Sequence, residues 1–200
     1  GYSQNKDLSK LQEFVNTFEF LREKPENLSL EGYLFPDTYE FNREDGLAAL
    51  IEKTLFNFNK KITQDLREQI EKQGKSLFEV LILASLLEKE VKTEQDKRLA
   101  AGILWKRLKA GWPLQVDATL GYITDKPSQH LTLDDLTIDS FYNTYKYHGL
   151  PIGPICNPGI ESIKAAVYFQ DSPYWFYLST PEGKIIFSET LKEHNANKVK

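Results

Sequence analysis

"SLFEVLILASLLEKE", residues 76–90, decides the fold. Ser76, followed three positions later by Glu79, has the pattern of a capping box, so a helix starts there. From Leu77 to Leu87 the apolar residues cover every face rather than one stripe. A helix of that kind belongs in the middle of a domain, buried on all sides. The spacing predicts it over 77–91. The run ends in two carboxylates, Glu88 and Glu90, about 200° apart at 100° per residue, so they cannot share a face.

Working outward, "LSKLQEFVNTFEFLREK" over 8–24 has helical spacing at Leu8, Leu11, Val15, Phe18 and Leu21, and Pro25 stops it. Residues 28–41, "LSLEGYLFPDTYEF", suggest short extended segments around the Pro36–Asp37 turn. Residues 44–73 read as one long or two shorter amphipathic helices, broken at "KQGKS". Thr93 with Asp96 caps a further helix that Gly111 ends. "WPLQVDATLGYI" is an extended or turn segment followed by a short helix. "GLPIGPICNPG", residues 149–159, is a shaped loop with three Pro and three Gly. "IESIKAAVYF" is a short helix. The alternation in 174–188 around Pro181-Glu182-Gly183 is a β-hairpin. The expected fold is α+β, mostly helical, with a small antiparallel sheet. Residues 1–27 form a helical lead-in and 28–200 the main domain.

The chain has 200 residues, enough for a substantial core. A net charge of −4 and the lack of a long basic block argue against a nucleic-acid partner. One cysteine, Cys156, excludes an internal disulfide and leaves the redox compartment open. No stretch is apolar enough to span a membrane. The chain begins without Met, as a fragment would, so an N-terminal anchor would lie outside it.

Glu88 is the first candidate for chemistry. A carboxyl held against apolar neighbours keeps its proton longer, as a general acid at a glycosidic oxygen must. The plain alternative is a helix-end ion pair between Glu88 and Lys92. Gln115 and Asp117 alternate on an expected extended segment and would face one groove, or merely an edge strand. Asn143 and Tyr145 precede the Pro/Gly loop that carries Asn157. Such amide, hydroxyl and aromatic groups suit N-acetylated sugars, and equally a loop packed on the core. Glu31 and Asp37 could reach a cleft or simply shape their loop. His130, His148, His194 and Cys156 lack metal-ligand spacing, and no metal or cofactor is called for.

Taken together, "EGYLFPDTYEF", "ASLLEKE", "LQVDATLGY", "YNTYKYHGLPIGPICNPGIESIKAA" and "FSETLKEHN" resemble, in order and spacing, the MltG/YceG family of endolytic murein transglycosylases. The resemblance runs from about Glu31 to Asn195. It implies a bacterial, membrane-anchored enzyme that acts outside the inner membrane on nascent peptidoglycan glycan strands. It implies non-hydrolytic cleavage of the MurNAc–GlcNAc β-1,4 bond, leaving anhydroMurNAc ends. It implies Glu88, first Glu of the motif, as general acid and then base, with no cofactor. Gln115, Asp117, Asn143, Tyr145 and Asn157 would then hold substrate. Peptidoglycan synthases are implied partners, and residues 1–27 would be the tail of a LysM-like segment. Three departures stand out: Ala118 where proline is common, Ile152 in place of the second proline of a pair, and Ile185 where many members carry histidine. A hydrolytic muramidase and a non-catalytic glycan-binding module are the competing readings.

Overall fold

The computed structural model describes residues 13–40, 42–180 and 182–198. The first part of the expected lead-in, residues 1–12, and Pro181 of the hairpin turn lie outside them. Seven helices are labelled here: α1 (Gly46–Lys61), α2 (Gln64–Lys72), α3 (Leu77–Glu90), α4 (Glu94–Lys109), α5 (Asp117–Thr124), α6 (Ile160–Val167) and α7 (Leu191–Asn197). Among the described residues the sheet is one antiparallel hairpin, β1 (Phe176–Ser179) with β2 (Ile185–Ser188), in the register Phe176 opposite Ser188 and Ser179 opposite Ile185. The architecture is α+β and mostly helical.

Helix α3 is the axis. Its capping box forms: Ser76 Oγ accepts from the Glu79 N–H at 3.1 Å, and the Glu79 carboxylate accepts from the Ser76 N–H at 2.8 Å. Every residue from Val80 to Leu87 is buried. Each fully buried leucine contributes about 2 kcal/mol from apolar burial. Helices α4 and α6 pack against α3 and each other. The segment after α6 approaches α4 closely because residue 102 is glycine: a Cβ there would lie 2.1 Å from the Gln170 carbonyl oxygen. At the far end of α6, carbonyls that no further helical turn could satisfy take side-chain donors. Gln73 donates to Val167, Trp105 to Ala166 and Arg98 to Tyr168.

Three expectations change. Among the described residues of 28–40 there are no strands; turns carry Tyr33 and Phe35 into the core, where Tyr33 packs on Phe20 and Phe58. Apolar aromatics in a short run thus marked burial, not sheet pairing. The 8–24 helix is helical over 13–17 and then tightens to a 3₁₀ turn at Glu19–Glu23. Phe18, Phe20 and Leu21 join the same core as α3. Finally, α7 was not foreseen, although Thr190 and Glu193 form a second complete capping box.

Candidate active site

The two carboxylates at the end of α3 face different clefts. Glu88 lines the smaller, about 320 Å³, with Phe35, Asp37, Lys61 and Lys97. Glu90 lines the larger, about 880 Å³, with Gln115, Asp117, Arg107, Tyr145 and Tyr177. The larger volume is near the upper end for ligand sites.

The setting of Glu88 is not the apolar one expected. Its Oε2 accepts a short hydrogen bond from Ser162 Oγ and a longer one, 3.3 Å, from the Gly159 N–H. Lys97 Nζ stands 3.5 Å away on α4. Partial burial pushes the Glu88 carboxyl up, but Ser162, Lys97 and the Gly159 N–H outweigh it, so its pKa lies below the ordinary value. The expected Glu88–Lys92 pair does not form, because α3 stops at Glu90 and Val91 turns extended. Lys97 is the partner instead, with 6% of its side chain exposed. Glu88 therefore joins the ends of α3 and α6 to α4 and neutralises a buried cation.

Glu90 has the opposite environment. Burial pushes its carboxyl up, one N–H from Ala118 at 3.0 Å opposes, and the charge of Asp117 pushes further up, to about 7. That Ala118 N–H belongs to the first turn of α5, so it has no intrahelical partner.

The segment before α5 is sewn to the loop ahead of the Pro/Gly stretch. Thr144 Oγ1 accepts from the Val116 N–H at 2.9 Å, and the Thr144 carbonyl accepts from the Gln115 N–H at 3.1 Å. This brings Gln115, Asp117 and Tyr145 to one cleft, as expected, but without a strand. Tyr145 donates a short hydrogen bond to Asp117 Oδ1. Burial, then Asp117, pushes the Tyr145 hydroxyl far up, so it stays a donor. Gln115 is exposed and sits at φ +54°, a strained conformation for a non-glycine residue.

Asn143 and Asn157 do not reach the larger cleft. Asn143 is fully buried; its amide donates to the Leu136 and Ile138 carbonyls and accepts from the Tyr145 N–H. It builds the loop that aims Tyr145. Asn157 Oδ1 accepts from the Gly32 and Leu34 N–H groups at 2.7 and 3.2 Å and lines neither cleft. Glu31 accepts from Tyr122, and Asp37 from Asn57.

Sequence reasoning missed Arg107, Lys97, Ser162 and Tyr177. Arg107 is buried, donates to the Trp175 and Leu114 carbonyls, and so joins α4 to both walls of the cleft. A lone arginine in a helix carries no signal of this. Tyr177 could have been found, since alternation in the hairpin puts it on one face with Ser179.

The fold and its clefts define an α+β domain, built around one buried helix, with a half-buried acid at the mouth of the larger groove. A model of the YceG-like family matches residues 3–200, and the chain belongs to that family. It is 34% identical over 210 residues to an endolytic murein transglycosylase of Bacillus subtilis, covering 100% of this chain and 58% of that protein. It is 32% identical over 174 residues to an endolytic murein transglycosylase of Streptococcus pneumoniae, covering 84% of this chain and 31% of that one. The chain thus spans little more than half of the first relative and under a third of the second. A crystal structure of a yceG-like protein from Listeria monocytogenes superposes with a TM-score of 0.84 at 32% identity, covering 99% of this chain and 68% of that one.

Proposed function

We propose that this chain is the catalytic region of an endolytic lytic transglycosylase of peptidoglycan, and that Glu90 is its acid and base. The observation that carries the reading is a carboxyl raised to about 7 at the edge of a cleft large enough for sugar rings. An acid with a pKa near the working pH donates and regains a proton most effectively. Glu88, the residue first expected in this role, is already bound to Ser162, Lys97 and Gly159, which favour its ionised form.

Protonated Glu90 donates to the glycosidic oxygen between MurNAc and GlcNAc as the C1–O bond breaks, and the ring becomes oxocarbenium-like. The GlcNAc leaves with its 4-hydroxyl restored. The MurNAc 6-hydroxyl then attacks C1, and the Glu90 carboxylate takes its proton. This closes the anhydro ring and resets the acid. The nucleophile is part of the substrate, so proximity replaces a positioned water. Asp117, held by Tyr145, supplies negative charge beside the developing cation, and Gln115 offers its amide to an N-acetyl group.

On this reading the domain works outside the cytoplasmic membrane, anchored through a segment beyond this chain, on strands that synthases are extending. Mass spectrometry of digested glycan strands tests it. The expected products carry anhydroMurNAc ends and vanish with Glu90→Gln. Reducing ends would replace the transglycosylase with a hydrolase, and bound but uncut glycan would replace it with a binding module.

A further inference from the structure

Beyond the cleft, an aromatic ledge continues along the hairpin. His194 on α7 stacks against Phe176 on β1 at 5.2 Å between centroids, and both line the larger cleft. Phe176 lies 6.2 Å from Trp112, and Trp112 lies 4.7 Å from Trp175. Trp112 lies just outside the cleft lining, beside Phe176 of one wall and two residues before Leu114 of the other. Trp112 is 43% exposed, although Phe176 beside it is almost buried. Lys106 covers Trp175 at 4.6 Å, and Arg107 lies under Phe176 at 5.2 Å, so both rings are held from behind. A rigid indole presents a large flat apolar face to a partner at little cost in conformational entropy.

We propose that Trp112 is the platform of a distal saccharide subsite, on which a sugar ring of the glycan strand stacks after leaving the cleft. The proposal rests on the glycan-cleaving reading of the cleft. The pyranose C–H face is apolar and flat, and its hydroxyls stay in water. This matches an exposed indole. The subsite gives the enzyme a preference for strands long enough to span from Glu90 to Trp112, so long strands are held and short fragments released.

The test is equilibrium binding of peptide-free murein oligosaccharides, a tetrasaccharide and a longer strand, to the whole chain carrying Glu90→Gln. Trp112→Ala is expected to weaken the longer strand about tenfold, equivalent to about 1.4 kcal/mol, and to leave the tetrasaccharide within about twofold. Trp112→Tyr, which keeps a flat ring, is expected to restore most of the affinity. Equal weakening of both lengths would mean that Trp112 only props the hairpin, and no weakening of either would also overturn the subsite. Failure of every glycan to bind, with or without Glu90→Gln, would reject the glycan reading and the subsite with it. Length-dependent binding through Trp112 without anhydro products would keep the subsite and reject the cleavage chemistry.

Discussion

Glu88 and Glu90 stand two residues apart on one helix, yet the molecule treats them as opposites. Glu88 meets a hydroxyl, a backbone N–H and a lysine, all of which favour the carboxylate. Glu90 meets low-dielectric surroundings and another carboxylate, with one N–H as compensation. The same functional group at one end of one helix is thus an ionised strut on one side and a proton carrier on the other. What separates them is which neighbours the 200° rotation delivers.

The sharpest break of this comparison is catalytic. Glu90→Gln is expected to cut the turnover of glycan strands about a thousandfold, within the range for loss of a general acid. Glu88→Gln is expected to cost less than about tenfold. The reverse ranking in two folded variants, by initial rates of anhydro-end formation, would return the acid to Glu88.

Stability should rank them the other way. Glu88→Ala leaves Lys97 charged and buried without its partner. Breaking a fully buried pair costs about 3–5 kcal/mol. The Glu88 side chain is 34% exposed, so about 2 kcal/mol is expected after solvent screening, read as a Tm lower by about 4–8 °C. An unchanged Tm would show that the strut carries no load.

The pH dependence sharpens the contrast further. Glu90 binds its proton more tightly folded than unfolded. Its favourable contribution is therefore complete below the ordinary carboxyl value of 4.5 and is lost as the pH rises through about 7. Relative to Glu90→Gln, the parent should lose about 3 kcal/mol across that window, measured by denaturant melts. Glu88 runs the opposite way: its contribution is complete above the ordinary carboxyl value and is lost as the pH falls through its lowered pKa. Asp117→Asn removes a like charge, so the alkaline fall of kcat/KM, set by ionisation of Glu90, is expected to move to lower pH. A fall at the same pH in both proteins would remove Asp117 from the control of Glu90.

The smallest effect is at Gln115. Gln115→Gly relieves the positive φ and is expected to raise stability by about 0.5–1 kcal/mol. Activity should drop in the same variant, because the cleft loses an amide. A gain in both would make the strain incidental.

Some of this was legible in the residues themselves. The all-round apolar run, the Ser76 and Thr93 caps and the hairpin alternation are local signals, and α3, α4 and the sheet follow from them. The convergence of Gln115, Asp117 and Tyr145 was expected by motif, and the Thr144 hydrogen bonds make it physical. Asn143 and Asn157 read as sugar ligands because composition alone cannot tell an amide that meets substrate from one that holds a loop. Residues 28–40 read as strands because aromatic propensity reports burial, not the partner that a strand requires.

By itself the sequence determined that a buried helix would end in two carboxylates on opposite faces, because periodicity is a property of the chain. Only the tertiary structure decided which of them is raised. A carboxyl's pKa depends on desolvation and on donors and charges from α4, α5, α6 and their loops, and those neighbours are many residues distant along the chain.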